Sequence, residues 1–458
     1  MEKVKVYFLG AAHTVTGSKF LIETSERNIL IDCGMFQGIK ELREKNWDFL
    51  PVDASTIDVV LLTHGHLDHT GYLPRLVKQG FRGKIIGTEP TLAIARIILK
   101  DSAKIHEEEA ERANLEGYSK HSPAIPFYTI KEAEFTIGLF KGADKDEWIP
   151  LSENIKYRFR YNGHIIGATF IELDIFGKIF VFSGDIGREH DLLLFPPEKP
   201  ERADYLFIES TYGNKLHPKE SVSEKLVELI NQVINKRGNL IIPSFAVERL
   251  QTLMFILWKL YKERRIPTIP IYIDSPMGDN VLSVFGVFSD WHKIPLKDFN
   301  AMNNRMNIVK SYKETWETID NPQPKVVIAG SGMVTGGRVL TYLKQLIDEP
   351  STIILLVGYQ AEGTRGRQLL DGAHELKFFG KYHDVKAQIH HIDSLSAHAD
   401  QQGLLDWCSN IKNIPEAVYL VHGEPTALDA LRVKLRDTYN WQVQIPRLYD
   451  IVEINISN

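Results

Sequence analysis

Cysteine is scarce: the 458-residue chain has two, Cys33 and Cys408. Two thiols make neither a disulfide framework nor a thiolate zinc site, so any metal must be held by histidine and carboxylate. Long apolar runs are also missing. The run from Leu253 to Leu257 is short and leads into Lys259, Lys262, Glu263 and Arg264, far from the roughly 20 apolar residues that a bilayer-spanning helix needs. The N-terminus, MEKVKVYFLG, mixes charge with strand-like alternation and lacks the apolar stretch of a secretory signal. A soluble, cytoplasmic protein without a membrane anchor is therefore expected. Nor is there a surplus of positive charge, since 54 basic residues face 59 acidic ones for a formal net charge of -5. That excludes nucleic-acid binding by the whole surface and leaves a local basic groove or a bound metal to attract phosphate. The composition is otherwise ordinary for a globular chain, and the length is enough for two cores.

Short β-rich runs, KVKVYFLG, FLIETSERNILIDCG, DVVLLTH and GKIIGTE, alternate with stretches of helical period, the pattern of an α/β protein. Residues 90–117 open with Pro90 and close with Gly117, which predicts one long helix with a solvated acidic face. A second rhythm begins near Glu209. Helical segments around Ser223 to Ile234 and Arg249 to Arg264 alternate with NLIIPSFA, PIYIDSP, KVVIAGSG and TIILLVGYQ, as in a mainly parallel sheet flanked by helices. From about residue 390 the chain returns to isolated histidine motifs.

The densest chemical signal is Thr63-His64-Gly65-His66-Leu67-Asp68-His69, directly after the apolar strand DVVLL. Neutral imidazole and carboxylate are good zinc ligands, and a strand end fixes their directions. His64 and His66 can point one way from the turn while Asp68 and His69 serve a neighbouring ion. His164 in YNGHIIGATF, Asp185 in IFVFSGDIG and His422 in VYLVHGE each follow a strand-like run and are further candidates. Singly, each reads equally well as a turn residue; their weight comes from the set.

HGHLDH, His164, Asp185 and the late HGE occur in the order of the metallo-β-lactamase superfamily motifs. FIESTYG with Glu209, SAHAD with His398 and VHGE with His422 resemble the three additional motifs of its β-CASP nucleases. The resemblance implies an αββα sandwich, residues 1–209 and 391–458, with a β-CASP domain inserted as residues 210–390. It implies that His64, His66 and His164 hold one zinc ion, that Asp68, His69 and His422 hold a second, and that Asp185 bridges them. Asp32 falls where the family has an acidic residue supporting a ligand histidine. His398, paired with Glu209, falls at the family's general acid. His422 resembles the RNA-cutting branch, whereas the DNA-repair branch usually carries Val there.

The implied activity is hydrolysis of single-stranded RNA with two zinc ions, internal cleavage being favoured over 5′ trimming; a homodimer stands open as its assembly. A two-zinc hydrolase of a small molecule or of DNA, or a metal-free scaffold, is the alternative, and the scaffold would lack several of the ligands present here. The first strand at the start of the sequence and the last motif near its end imply a short form without an RNA-binding extension.

Two glycine-rich runs, GSGMVTGGR at 330–338 and GYQAEGTRGR at 358–367, follow strands of the second rhythm and carry Arg338, Arg365 and Arg367. Backbone N–H groups in such loops approach phosphate closely, so Ser331, Gly332 and Arg338 are the expected phosphate contacts. His390 and His391 read as ordinary strand residues. Two departures from the family pattern stand out: His13 in the first loop, where Arg or Gln is common, and Asn162 in NGHII, where AGHIL is common.

Overall fold

The computed structural model describes residues 2–117 and 121–456. These fall into two compact units, Met1–Leu216 with His398–Asn458, and His217–Ala397.

The first unit is built on two seven-stranded sheets. One runs in the order Ile451–Ile456, Glu2–Phe8, Phe20–Glu23, Asn28–Ile31, Val59–Leu61, Lys84–Gly87, Phe140–Gly142. The other runs Val443–Gln444, Ala417–Val421, Tyr205–Glu209, Lys178–Phe182, Thr169–Ile175, Ile155–Tyr161, Ile149–Pro150. Side chains alternate along a strand, so Val4, Val6 and Phe8 share one face and are fully buried. They meet Phe159, Leu173, Phe182 and Phe207 of the opposing sheet in a single core. Leu30, Val60 and Leu62 point the other way, onto Leu73 and Leu76 of helix Leu73–Lys78 and onto Leu92 and Leu99 of helix Glu89–Glu116. The outer face of the second sheet, with Val181, Leu206 and Val418, is covered by Leu404 and Trp407 of helix Gln401–Cys408 and Leu428 and Leu431 of helix Pro425–Tyr439. Helix, sheet, sheet, helix is the expected αββα sandwich.

The long helix forms where Pro90 and Gly117 bracket it. Thr88 caps its N-terminus by accepting from the Thr91 amide, and Gly117 ends it in the left-handed region at φ 66°.

The second unit carries a six-stranded sheet in the order Asn307–Ile308, Ile271–Asp274, Lys325–Ala329, Asn239–Pro243, Ile353–Val357, Gln388–Ile392. Every pairing in it is parallel. One face packs on Val339 and Leu343 of helix Val339–Leu346 and on Leu369 of helix Arg365–Leu370. Helix Val222–Lys236 packs against Asn239–Pro243 and Lys325–Ala329. His390 and His391 lie in the edge strand Gln388–Ile392.

The chain leaves the first unit from strand Tyr205–Glu209 and re-enters it before strand Ala417–Val421, its parallel neighbour, with Glu209 opposite Val421. Both crossings lie a few residues beyond the sequence-based limits at 209 and 390. Ser210 N–H donates to His422 O and Gln401 N–H to Lys215 O, which keeps 210–216 in the first unit. Strand Gln388–Ile392 completes the second sheet, and the Ser394 hydroxyl donates to Glu220 there.

Phe207 is stacked between Phe182, at a centroid distance of 4.2 Å, and Tyr419, at 4.9 Å. Phe207→Ala is expected to lower the unfolding free energy by about 3–5 kcal/mol, measured by chemical denaturation with the metal content held constant.

Candidate metal centre

Each predicted ligand sits where a strand stops. Val59–Leu61 ends two residues before Thr63, and the short helix Leu67–Thr70 follows His66. The turn is pinned by backbone bonds from neighbouring loops: Ser18 N–H donates to Asp68 O, Cys33 N–H to His69 O and Met35 N–H to Leu67 O. Gly34 passes so close that a Cβ there would lie 1.5 Å from Asp68 O, so only glycine fits. Lys19, 2% exposed, donates from Nζ to Gly34 O at 2.7 Å with the Phe36 and Tyr72 rings over it. Burial lowers its pKa to about 8.

His164 and Asp185 are tied together by Asn162, whose amide Nδ2 donates to Ser183 O and Asp185 O, both at 2.6 Å. The Thr88 and Thr91 hydroxyls at the start of the long helix donate to Gly167 O and hold the His164 turn. His422 takes φ 50° and donates its amide to Ala11 O.

These turns bring the predicted residues together as two adjacent groups. His64, His66, His164 and Asp185 offer donor atoms within 4.8 Å of one another, as do Asp68, His69 and His422. His64 Nε2 is 3.1 Å from His66 Nδ1, and His164 Nε2 is 3.3 Å from the same atom. His66 thus faces the group with Nδ1 and its partners with Nε2. Asp185 reaches both groups, with Oδ2 3.5 Å from His64 Nε2 and from His164 Nε2, and Oδ1 3.3 Å from His69 Nε2. In the second group His69 Nε2 and His422 Nε2 are 3.3 Å apart, and His422 Nε2 is 3.4 Å from Asp68 Oδ2.

The chemistry of the donors fits divalent cations. Burial drives His64 and His164 well below the usual imidazole range and His66 to about 4, which leaves neutral rings with free lone pairs. Asp185 is 2% exposed and its Oδ1 makes no hydrogen bond. Burial opposes its charge, but the imidazoles of His422 and His69 outweigh that and hold it ionised. His69 shows the complementary effect: Asp185, Asp32 and Asp68 overcome its burial and raise it well above the ordinary value. Positive charge is what this pocket of carboxylates demands, and bound metal is its usual source.

The atoms behind the ligands are equally ordered. Asp32 accepts from His69 Nδ1 at 2.7 Å and from the Thr63 amide and hydroxyl, both at 2.8 Å. Thr63 Oγ1 also lies 3.1 Å from His64 Nδ1, and Thr211 Oγ1 lies 3.1 Å from His422 Nδ1. Sequence reasoning found Asp32 but missed Thr63, Thr211 and Asn162; the NGHII departure was the visible signal for Asn162.

Glu209 and His398 adjoin the same centre. Glu209 is 1% exposed; its Oε1 accepts from the Ile186 amide at 2.7 Å and faces His398 Nδ1 at 3.1 Å. His398 Nε2 is 3.9 Å from Asp185 Oδ2. Burial opposes a charge on His398, yet Glu209 and Asp185 prevail and lift it to about 9.

The predicted phosphate contacts lie in the second unit and are engaged locally. The Ser331 hydroxyl accepts from the Thr335 and Gly336 amides and closes its own loop. Gly332 is buried and its carbonyl accepts from Gln360 Nε2. Arg338 Nη1 pairs with Asp274 Oδ1 at 3.1 Å. Arg365 donates to the Lys377 carbonyl, and Arg367 pairs with Asp371. His13 is exposed at φ 57°.

The chain resembles known proteins over most of its length. Residues 15–244 match the model of the metallo-beta-lactamase superfamily, residues 250–369 that of the Beta-Casp domain, and residues 382–446 that of the Zn-dependent metallo-hydrolase RNA specificity domain. A Thermus thermophilus protein named as a ribonuclease is 34% identical over 93% of this chain and 95% of its own. An RNase J-like protein of Methanocaldococcus jannaschii is 30% identical over 92% and 93%. The transcription termination factor FttA of the same organism is 28% identical over 98% of this chain and 72% of its own. A crystal structure of an Enterococcus faecalis protein of unknown function shares the fold, with TM-score 0.56 and 12% identity over 99% of this chain and 100% of that one.

Removing the support beneath His69 is expected to loosen metal without unfolding the sandwich. Asp32→Ala should weaken zinc affinity about 10- to 100-fold, read by competition with a chromogenic chelator, with Asp32→Glu retaining part of it. Unchanged affinity in Asp32→Ala would remove Asp32 from the ligand scaffold.

Proposed function

Since the chain belongs to the metallo-β-lactamase superfamily and its β-CASP branch, a family of metal-dependent hydrolases, we propose that it is a zinc-dependent ribonuclease hydrolysing single-stranded RNA in the cytoplasm. The observation that carries this reading is the adjacency, in one unit, of two donor groups, Asp185 of the first also facing His69 of the second, and a charged histidine–carboxylate pair. The names of the relatives favour RNA as the polymer, and all the motif residues that a metal-free scaffold would have lost are present.

In this reading His64, His66 and His164 hold one zinc, Asp68, His69 and His422 the other, and Asp185 serves both. When bound, the ions supply positive charge for the phosphoryl oxygens and bring the pKa of water near neutrality. The residues of the chain do the rest. Asp32 fixes His69 with Nε2 toward the centre, and Thr63 fixes Asp32. Glu209 occupies His398 Nδ1, which aims Nε2 toward the centre and keeps the ring protonated. Water adds to phosphorus and gives up one proton to solvent, the phosphorus–oxygen bond to the departing sugar breaks, and His398 gives its Nε2 proton to that oxygen and regains one from solvent.

A general acid matters only when the leaving group needs a proton. His398→Ala should therefore slow cleavage of RNA by about 10²- to 10⁴-fold and slow hydrolysis of bis(p-nitrophenyl) phosphate much less, because nitrophenolate departs unprotonated. Equal losses on both substrates would remove the proton-donor role. Chelation of zinc should abolish both activities and zinc should restore them. With 5′-labelled single-stranded RNA, internal fragments identify an endonuclease, the mode we favour, and immediate labelled mononucleotide identifies 5′ trimming. Hydrolysis of the small diester without cleavage of any RNA would overturn the ribonuclease reading in favour of a small-molecule hydrolase.

A further inference from the structure

The carboxyl ends of parallel strands are where an open α/β sheet presents its loops to ligands. In the second unit two aromatic side chains stand exposed at that edge. Phe245, 38% exposed, is the second residue after strand Asn239–Pro243. Tyr312, 59% exposed, follows strand Asn307–Ile308 as the first residue of helix Tyr312–Asp320. These strands are three places apart in the sheet, so at about 4.8 Å per strand their ends are roughly 14 Å apart. The ends of Ile271–Asp274 and Lys325–Ala329, the latter leading into the glycine-rich loop, lie between them.

Each ring is braced from behind. The Phe245 ring lies against Gly332, where a Cβ would come within 2.7 Å of Phe245 Cδ2. A side chain at 332 would therefore displace the ring. Tyr312 lies against the Arg338 guanidinium, whose central carbon is 3.9 Å from the ring centroid. Arg338 is itself fixed by Asp274, which is fully buried and also accepts from Thr315 at 2.6 Å and from the Tyr342 hydroxyl at 2.9 Å. A buried carboxylate and a guanidinium are thus committed to holding one exposed tyrosine in place. Such pre-organised rings lose little conformational freedom when a flat partner stacks on them. The cation behind Tyr312 also favours a polyanion.

We propose that the carboxyl edge of this sheet is a stacking platform on which Phe245 and Tyr312 each receive a base of single-stranded RNA; the proposal rests on the ribonuclease reading and adds how the substrate is gripped. Arg338 then serves as the brace for Tyr312, and Gly332 as the seat for Phe245. Stacking accepts every base, so sequence preference is weak.

The test uses the full-length protein and a single-stranded RNA carrying 2-aminopurine, beside the same strand with abasic sites. The wild type is expected to quench the 2-aminopurine and to prefer the base-bearing strand. Phe245→Ala and Tyr312→Ala should each lose about tenfold in affinity for that strand with reduced quenching, and should bind the abasic strand as the wild type does. Phe245→Trp and Tyr312→Phe should keep both signals. Equal losses on base-bearing and abasic strands would mean that the rings are structural and would overturn the platform, as would wild-type affinity and quenching in the alanine variants. A wild type that neither binds nor cleaves RNA would fail the ribonuclease reading itself, and the platform with it.

Discussion

The first unit is organised around a charge buried where charge is expensive. Asp185 sits at the end of a core strand with 2% of its surface exposed, and an isolated carboxylate there would cost several kcal/mol. It is tolerable because His69, whose protonated form the surrounding carboxylates favour, faces Oδ1 at 3.3 Å, with His64 and His164 at 3.5 Å from Oδ2. His64 and His69 share the turn after strand Val59–Leu61, and His164 follows strand Ile155–Tyr161. The αββα sandwich is, in this sense, a rigid frame that makes several loops converge on one anion.

Rigidity comes from small groups that carry no chemistry. Asn162 joins the His164 and Asp185 turns through two carbonyls, Thr88 and Thr91 hold the first of these to the long helix, and Gly34 lets a third lie directly on its neighbour. The Ser183 hydroxyl accepts from the Glu209 amide at 2.9 Å, so the Glu209–His398 pair is registered against the Asp185 turn. Buried polar networks of this kind are costly when half satisfied and specify one geometry when complete.

What was legible in the sequence follows from the same physics. The donor cluster could be read because HGHLDH is compact and each later candidate ligand closes a recognisable apolar strand. The αββα layering and the parallel second sheet could be read from hydrophobic period. Thr63 and Thr211 could not, since a threonine beside a ligand histidine has no pattern of its own and is meaningful only once Asp32 or His422 is in place. Arg338 resembled a free phosphate ligand because its partner, Asp274, is 64 positions away. The limits of the inserted unit were off by a few residues because hydrogen bonds across 210–216 bind that stretch to the segment after 398, a relation that local composition does not carry.

The entry and exit of the second unit on neighbouring parallel strands have a consequence for biosynthesis. Glu209 and Val421 are paired across one ladder, yet a ribosome makes them more than two hundred residues apart. Six of the seven candidate ligands have emerged by Asp185, but His422, its supporting strand and His398 follow only after the whole inserted unit. Strand Ile451–Ile456, which follows all of these, pairs with Glu2–Phe8, which precedes them. A nascent chain that has not yet released His422 therefore presents an unfinished donor cluster, and the two groups come together only after the whole inserted unit has been made.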